Sequence, residues 1–430
     1  MGYRLKVLRR GNAVAVRLSI VVAAAFALLS FSTPAFASTS IRYGVQDDAW
    51  LRYGPGTLKE RLDRLQSLGV DLVRVNVYWS EVESHEGVFN WSAYDPAIKG
   101  LHTRGIEPIL TLVSTPAWAN GGRGTNWVPT SGSSFAAFAA ATARHYPYVR
   151  RFLIWNEPNQ RRWLRPTLPS LYVQRLLNPA YTAIHAVRKT ALVGGGVTAP
   201  RAATGGVSPA VWIKGMAGYH AKLDAYAHNP YPLTPAETPL TGGCNHCSTL
   251  TMATLPTLIA DVGKAFGKGK RIWLTEYGYQ TDPPDNVLGV SPDKQAQYMS
   301  QASMRAYLAP RVDMLINYLV QDEPDISRWQ SGVLTVSGVE KPSYQAFQLP
   351  LTVEHRTTTT VTLWGQVRPG SGKQQYVLEQ LRGNRWLRVG GTERTSTRGF
   401  FKRVVPAVSG ASYRVLQLTR GLTSSSVSTG

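Results

Sequence analysis

Short apolar runs recur along most of the chain and are separated by longer, mixed stretches. The runs are rich in Val, Ile, Leu and aromatic residues, which is typical of strands buried on both faces of a parallel sheet. They cover residues 41–46, 70–79, 106–113, 149–156, 191–197, 223–229, 271–278 and 312–320. The pattern therefore predicts eight strands.

The stretches between these runs carry apolar residues at helical spacing. In TLKERLDRLQSLG (57–69) one face is formed by Leu58, Leu62, Leu65 and Leu68. Residues 134–146, 257–267 and 293–308 have the same pattern. Regular alternation of strand and helix predicts an α/β fold, a closed (β/α)8 TIM barrel over residues 38–352. A doubly wound open sheet is the alternative, but no Gly-x-Gly-x-x-Gly turn follows the first run.

The pattern changes after residue 352. Short alternating segments such as TTTTVTLWGQV and SYRVLQLTR follow one another, broken by Gly and Pro. They predict a small antiparallel β-sandwich over residues 353–421. For residues 422–430, LTSSSVSTG, the polar composition predicts a disordered tail.

The first 37 residues have the layout of a secretory signal peptide. A basic region precedes the apolar run LSIVVAAAFALLSFS (18–32), and the small-residue site Ala35-Phe36-Ala37 follows. A retained membrane anchor is the alternative, but a span needs roughly 20 apolar residues. We expect cleavage near Ser38, a secreted or envelope-associated protein, and no stable membrane insertion afterwards.

Positive charge is concentrated towards the C-terminus. The chain has 430 residues, of which 43% are hydrophobic, and a formal net charge of +21. Residues 353–430 hold 12 Lys and Arg against 3 Glu. On an exported protein this surface suits an anionic cell-wall polymer or membrane headgroups, and we expect no nucleic-acid partner. A solvated basic face that only aids solubility is the alternative.

The two cysteines, Cys244 and Cys247, lie in GGCNHCST. In an oxidising compartment they predict a short disulfide that pins a glycine-rich loop. A metal site would need two further ligands, of which His246 supplies one at most, and no thioredoxin-like strand–helix unit surrounds the pair. We therefore expect no metal.

Two of the predicted strands end in a carboxylate. RRFLIWNEPNQ (150–160) runs from buried residues into Asn156 and Glu157, and IWLTEYGY delivers Glu276 in the same way. A parallel barrel gathers the carboxyl ends of its strands at one face, where its loops build the site. The fourth and seventh strands lie across that mouth from each other, so the two carboxyls are expected to flank a bound sugar.

These residues carry a family resemblance. WNEP (155–158) with LTEYG (274–278) resembles the clan A glycoside hydrolases, within a match from about residue 43 to residue 347. The match includes Arg74, YWSEVESHEGVFNWSAYD (78–95), TPAWA (115–119), HNPYP (228–232) and KPSYQAF. Within the clan the chain is most similar to families 39 and 5. Asn-Glu-Pro alone is weak evidence, whereas the pieces in this order are specific.

The resemblance implies a retaining glycosidase acting on xylosides, arabinosides or exopolysaccharides. It assigns Glu157 as the acid/base and Glu276 as the nucleophile, with the carboxyls about 5–5.5 Å apart. Arg74 would favour ionised Glu276, whose charge would keep a proton on Glu157. Asn156 would donate to the sugar 2-hydroxyl. The mechanism requires no metal or organic cofactor, and the expected partner is a carbohydrate substrate.

Each assignment has a plainer structural alternative. Glu157 could be a salt-bridged strand cap, and Arg74 could neutralise a buried acid as a core ion pair. His228 and Tyr231 resemble substrate-binding residues of the family, yet a structural histidine has the same sequence signal. Which of Tyr277 and Tyr279 orients the nucleophile stays open.

Aromatic side chains are the remaining candidates for sugar contact. Trp79, Trp118 and Trp329 could stack on sugar faces or fill the barrel rim. The clan usually offers a tryptophan at the end of the eighth strand, where this chain has Asn317 and Tyr318. Tyr318 and Trp329 are the candidates to replace it, which favours a furanoside or an unusual wall glycan.

Three hypotheses compete at this point. The leading one is a secreted retaining glycosidase. The others are a non-catalytic carbohydrate-binding barrel and a surface-attachment protein that acts through its basic C-terminal domain.

Overall fold

The computed structural model describes residues 37–243 and 248–429. The predicted signal segment, apart from its last residue, and the predicted Cys244–Cys247 disulfide lie outside these residues. No helix within the described part of the chain is long and apolar enough to cross a membrane.

Eight parallel strands close into a barrel in the order β1-β10-β7-β6-β5-β4-β3-β2. These strands are β1 (Arg42–Gln46), β2 (Leu72–Tyr78), β3 (Glu107–Val113), β4 (Arg151–Ile154), β5 (Leu192–Thr198), β6 (Ala225–His228), β7 (Arg271–Tyr277) and β10 (Val312–Tyr318). Each lies within one of the predicted runs, except that β5 extends one residue beyond its run, to Thr198. The barrel is therefore confirmed. The short β8 (Gln280–Thr281) and β9 (Gly289–Val290) pair with each other outside it.

Helices surround the barrel. They are α1 (Asp48–Tyr53), α2 (Leu58–Leu68), α3 (Trp79–Val82), α4 (Asp95–Thr103), α5 (Ala117–Asn120), α6 (Gly132–His145), α7 (Pro169–Tyr172), α8 (Asn178–Val187), α9 (Pro209–Gly218), α10 (Leu255–Phe266), α11 (Pro292–Leu308) and α12 (Pro342–Gln348). A π-helical turn, Val173–Leu177, joins α7 to α8. The four predicted helices correspond to α2, α6, α10 and α11.

Helix α2 shows how local sequence sets these boundaries. Thr57 accepts from the Glu60 backbone N–H, and Glu60 reaches back to the Thr57 backbone, so the first turn is capped from both sides. Gly69 ends the helix at φ 81°, a left-handed conformation that costs glycine little. Its leucine face packs on the outside of the barrel.

The interior of the barrel is filled by its own side chains. A cluster of buried residues inside it includes Leu72, Ile109, Leu153, Trp273 and Ile316, contributed by five different strands. The barrel is therefore a packed core, and chemistry is restricted to its rim.

The C-terminal domain is two antiparallel sheets, as predicted. One has the order β11-β12-β15 and the other β14-β13-β16-β17. The strands are β11 (Leu351–Arg356), β12 (Thr360–Gln366), β13 (Gln375–Arg382), β14 (Arg385–Arg394), β15 (Phe400–Pro406), β16 (Ser412–Gln417) and β17 (Val427–Ser428). A separate apolar cluster that includes Leu363, Leu378 and Val415 fills the space between them.

The tail differs from the prediction. Over residues 422–429 the chain adds β17 to the second sheet instead of remaining disordered. Thr429 is buried, and its backbone N–H donates to Ala411 O at 2.8 Å. Backbone pairing of this kind does not depend on apolar side chains, so composition alone gave the wrong expectation.

The C-terminal domain packs directly on the barrel. The guanidinium of Arg368, which is fully buried, lies 3.7 Å from the ring centroid of Tyr43 on β1. Its Nη1 donates to Phe347 O at 3.0 Å. The rings of Trp364 and Phe400 pack against Tyr307 of α11. Removing this domain would therefore expose part of the barrel core.

Candidate active site

Arg74 on β2 is the centre of a buried polar network at the carboxyl ends of the strands. Its Nη1 donates to Glu276 Oε1 at 2.7 Å, and its Nη2 donates to Asn156 Oδ1 at 2.7 Å. The remaining Nε–H donates to Thr111 Oγ1 at 2.8 Å. Because the guanidinium is fully buried and bonded on all sides, one rigid group orients Asn156, just after β4, and Glu276 of β7.

Glu276, near the end of β7, is held by two donors. Arg74 binds Oε1, and the Tyr231 hydroxyl donates to Oε2 at 3.2 Å. Only 7% of the residue is exposed. Both oxygens thus have defined partners, which fixes the orientation of the carboxylate.

The end of β4 turns sharply to present Glu157. Trp155 has φ 71° and Glu157 has φ 40°, both in the left-handed region that side chains other than glycine rarely adopt. The turn is held because the Glu157 backbone N–H donates to Val197 O at 2.9 Å, and Trp155 N–H donates to Leu112 O at 2.9 Å. Unusual backbone geometry supported in this way is common at functional sites.

The Glu157 side chain is partly exposed at the rim, where Asn229 contacts it. Asn229 Nδ2 donates to Glu157 Oε1 at 3.1 Å, and Asn229 Oδ1 accepts from Thr275 Oγ1 at 2.7 Å. Thr275 immediately precedes Glu276, so a chain of contacts links the two carboxyls. Asn229 and Thr275 are site residues that the sequence did not single out, although Asn229 lies within HNPYP.

The two carboxyls differ in their electrostatic surroundings. Burial and the negative charge of Glu276 raise the pKa of Glu157 to about 7, against the smaller opposing effects of Asn229, Arg74 and Trp163. Burial also raises the pKa of Glu276, while Arg74 and Tyr231 act to lower it. Because the guanidinium contacts Glu276 directly, a single proton shared by the pair resides on Glu157.

Three aromatic residues form one wall beside Glu276. The ring of Trp329 lies 5.1 Å from that of Tyr231 and 5.6 Å from that of Tyr318, measured between centroids. Trp329 is 38% exposed and Tyr318 is partly exposed. Trp329 and Tyr318, the two candidates to replace the missing tryptophan of the eighth strand, thus lie together.

Three other candidates are placed differently. Trp79 is fully buried among Phe135 and Phe138, so it fills the core and offers no face to a sugar. Trp118 packs edge-on against Trp79 and stays partly exposed. His228 is enclosed in the barrel wall.

Both ring nitrogens of His228 have partners. Nδ1 lies 2.8 Å from Thr198 Oγ1, and Nε2 lies 2.9 Å from Leu250 O. Since a carbonyl can only accept, Nε2 carries the proton, and burial lowers the pKa of His228 to about 4. His228 is a neutral structural histidine and does not join the carboxyls.

Neither Tyr277 nor Tyr279, the two tyrosines considered for orienting Glu276, contacts its carboxylate. The Tyr279 hydroxyl donates to the backbone oxygen of Glu237, and Tyr277 is buried beside it, with 5.8 Å between ring centroids. Neither makes a hydrogen bond to Glu276. Tyr231 from the loop after β6 does so instead.

A group of hydrogen-bond acceptors lies at the ends of β1 and β2, next to Arg74. Asp48 accepts from the backbone N–H and Nδ2 of Asn76, at 2.8 and 2.7 Å. Gln46 Oε1 and Asn76 Oδ1 are buried and accept no hydrogen bond within the described residues. Burial raises the pKa of Asp48 to about 6, and the Arg74 charge is among the effects that oppose this. None of these three residues was among the predicted site residues.

The described residues contain no group of three or more His, Cys, Asp or Glu side chains placed to hold a metal ion. What the site does offer is a protonatable carboxyl and an arginine-bound carboxylate at one rim of a parallel barrel. A TIM barrel that carries such a pair, with one carboxyl just after β4 and the other near the end of β7, is typical of glycoside hydrolases.

Comparison with known proteins identifies the family within this class. Residues 32–311, which include both carboxyls, match the model of Cellulase (glycosyl hydrolase family 5). The chain belongs to this family. None of the curated proteins compared with it matches.

Solved structures share the fold at low sequence identity. A family 39 glycoside hydrolase from Bacteroides cellulosilyticus WH2 is 16% identical with TM-score 0.58, covering 86% of this chain and 80% of that one. A monomeric β-xylosidase from Caulobacter crescentus CB15 is 14% identical with TM-score 0.54, covering 85% and 94%. A GH5_18 protein from Streptomyces cattleya, in complex with GlcNAc, is 16% identical with TM-score 0.53, covering 72% and 79%.

Proposed function

We propose that the protein is a secreted retaining glycosidase. It cleaves O-glycosidic bonds of an envelope or plant polysaccharide or oligosaccharide by double displacement. The observation that carries the proposal is the asymmetry of the carboxyl pair: Glu276 is bound by Arg74, whereas Glu157 is raised in pKa to about 7. One ionised and one protonated carboxyl is the starting state that this chemistry needs.

In the first step, a Glu276 oxygen forms a bond to the anomeric carbon while the bond to the leaving oxygen breaks. Glu157 donates its proton to that oxygen, and a covalent glycosyl ester on Glu276 results. Once the ester has formed, Glu276 no longer bears a charge, so the pKa of Glu157 falls. Glu157 can then act as a base.

In the second step, Glu157 takes a proton from water as the water oxygen attacks the anomeric carbon. The ester bond breaks, Glu276 leaves as a carboxylate, and Glu157 is again protonated. Asn156, whose carbonyl oxygen is held by Arg74, keeps its amide N–H groups available for a sugar hydroxyl. Two inversions at one carbon retain the anomeric configuration.

The rim favours a neutral sugar in the cleaved unit. Gln46 Oε1, Asn76 Oδ1 and the Asp48 carboxylate are all acceptor atoms, and the first two have no donor within the described residues. They suit sugar hydroxyl groups and disfavour a carboxylate on this sugar. The wall formed by Trp329 and Tyr318 supplies an apolar face for the sugar ring. The relative described as a β-xylosidase supports beginning the search with xylosides.

Export and attachment complete the proposal. The signal-like segment at residues 1–37 supports secretion or envelope association, and the basic C-terminal domain supports attachment to an anionic polymer. Secretion is tested by mass spectrometry of the protein recovered from the medium of expressing cells. We expect the mature chain to start near Ser38.

Proton NMR of a reaction with aryl glycosides tests the mechanism. The panel covers aryl xylosides, arabinofuranosides, glucosides and mannosides, and we expect the first-formed sugar to keep the substrate's anomeric configuration. Glu276→Gln should abolish turnover. Glu83→Gln is the matched control, because Glu83 is a buried carboxylate that binds Trp79 and Gly87 and not Arg74. Inverted product, or full activity of Glu276→Gln, would contradict the proposal.

The alternative is a non-catalytic carbohydrate-binding or surface-attachment protein on the same scaffold. The basic C-terminal domain is the observation that favours it. Complete absence of turnover across the panel and across envelope and plant polysaccharides, with retained polysaccharide binding, would select this alternative.

A further inference from the structure

The C-terminal domain carries cations that its own acids do not neutralise. Residues 353–430 contain three Glu, and each is already in an ion pair with a cation of the same domain. These pairs are Glu354–Lys402, Glu379–Arg414 and Glu393–Arg403. The domain's positive charge therefore resides on the remaining Lys and Arg side chains.

Three of these cations line one groove. A cavity of about 460 Å³ opens where the loop before β13, the end of β14 and the segment after β16 meet. Its lining includes Lys373, Arg394 and Arg420, and none of them forms an ion pair within the described residues. Lys373 and Arg394 are exposed, so their charged groups are accessible to a ligand.

The walls of the groove are held in place by hydrogen bonds. Gln374 Nε2 donates to Pro369 O at 2.9 Å, and its backbone N–H donates to Thr395 Oγ1 at 3.0 Å. On the opposite side the Arg420 backbone N–H donates to Gln417 Oε1 at 2.8 Å. The loops that carry two of the cations are thus fixed before any ligand binds, which lowers the entropic cost of binding.

The polar lining between the cations indicates a glycan. Side chains of Gln375 and Thr419 join the groove beside Lys373 and Arg394, and such amides and hydroxyls can bond to sugar hydroxyls. The lining residues include no aromatic ring, so the groove has no platform for stacking a neutral sugar or a nucleic-acid base. Recognition must then depend on charge.

We propose that this groove binds an acidic polysaccharide through the carboxylates of its uronic acid units. Arg394 and Lys373 pair with carboxylates along the chain, while the neighbouring amide and hydroxyl groups bind the sugar hydroxyls. The inference gives a site and a ligand class to the polymer attachment proposed above, and rests on that proposal. It is independent of catalysis, because the groove lies on a different domain from Glu157 and Glu276.

Affinity electrophoresis of the full chain tests the proposal without turnover. The protein carries Glu276→Gln, and the native gels contain polygalacturonate, neutral dextran or poly(glycerol phosphate). We expect retardation by polygalacturonate, no retardation by dextran, and weaker binding as ionic strength rises. Reversing the groove charges with Lys373→Glu and Arg394→Glu should weaken binding at least about tenfold.

A charge-matched variant separates the groove from the general basic surface. Arg382→Glu with Arg385→Glu also reverses two exposed cations of this domain, but at the β13–β14 turn outside the groove. We expect this variant to bind within about twofold of the parent. Circular dichroism verifies that each variant is folded, and Lys373→Ala with Arg394→Gln replaces the reversal if it is not.

Three results would overturn the proposal. Equal loss of binding in the groove and turn variants would assign it to diffuse charge. Tighter binding to poly(glycerol phosphate) than to polygalacturonate would make a phosphate polymer the ligand. Absence of binding to polygalacturonate at low salt would remove the site, and none of these results bears on whether the barrel is a glycosidase.

Discussion

The hydroxyl of Tyr231 makes a single contact with the proposed nucleophile, and its removal gives a quantitative prediction. In Tyr231→Phe, Glu276 Oε2 loses its donor at 3.2 Å, while the ring that packs on Trp329 is kept. A hydrogen bond to a charged group contributes about 1.5–3 kcal/mol, and the length of this one favours the lower end. At about 1.4 kcal/mol per factor of ten, kcat should fall about tenfold.

The pH profile of kcat/KM gives a second readout that a general loss of structure would not produce. The Tyr231 hydroxyl lowers the pKa of Glu276, since it stabilises the ionised carboxylate. Without it the pKa rises, so the acidic limb of the profile should move to higher pH. The basic limb, which reports Glu157, should stay within a few tenths of a pH unit.

Tyr279→Phe is the matched control for this prediction. The Tyr279 hydroxyl bonds to the backbone of Glu237 and not to Glu276, so this variant should keep kcat within about twofold and leave both limbs in place. Equal effects of the two substitutions, or a Tyr231→Phe profile with an unmoved acidic limb, would refute the assignment of Tyr231 as the residue that orients the nucleophile.

The remaining predictions concern the acid/base, the arginine and the buried histidine. Glu157→Gln should lose turnover of poorly activated aryl glycosides and keep turnover of dinitrophenyl glycosides, whose leaving group needs no proton. In the parent, kcat/KM should fall as pH rises through about 7, and this basic limb of the profile should be absent from Glu157→Gln. Arg74→Ala should lower the free energy of unfolding in urea by about 3–5 kcal/mol, because it leaves buried Glu276 without its partner. As a control, Arg385→Ala at an exposed position should lower it by less than about 0.5 kcal/mol. The pKa of His228 is lower in the folded state than in the unfolded chain. The free energy of unfolding, compared with that of His228→Gln, should therefore decrease by up to about 3 kcal/mol as pH falls from about 6.5 to about 4. Unfolding curves of both proteins across this range measure it, and parallel pH dependence would contradict the buried neutral histidine.

The fold could be predicted because hydrophobic periodicity reports burial directly. The predicted run 70–79 became β2 (Leu72–Tyr78), and the boundaries differ only where the chain turns. The predicted run 149–156 ends earlier, at Ile154, since Trp155 already has the left-handed conformation that starts the turn to Glu157. Periodicity cannot indicate such a turn, because it depends on backbone contacts from β3 and β5.

The carboxyl pair could be predicted because both members follow apolar strands, and strand ends in a parallel barrel share one face. Arg74 was predicted to favour the charged form of Glu276 and does contact it, whereas Asn229, which donates to Glu157, was not predicted. Asn229 and Glu157 lie 72 residues apart, and their contact depends on the register of β4, β5 and β6. Asp48 had a usable signal, since it is a carboxylate just after the first strand, which is the pattern that identified Glu276.

Which aromatic residues contact substrate and which fill the core could not be predicted from the sequence. Trp79 and Trp329 both lie in loops or short helices near strand ends, yet one is fully buried and the other is 38% exposed. Burial depends on what packs against each ring, here Phe138 of α6 for Trp79. Composition and spacing contain no information about such neighbours, so a sugar platform and a core residue have the same sequence signal.

Trapping of the covalent intermediate tests the central claim most directly. A 2-deoxy-2-fluoro glycosyl fluoride slows both steps and accumulates the ester. Fluorides of xylose, glucose and mannose are incubated with the protein, which is then digested and analysed by peptide mass spectrometry. We predict a single fluoroglycosyl adduct on Glu276 that is absent from Glu276→Gln; an adduct on Glu157 or on any other residue would contradict the account.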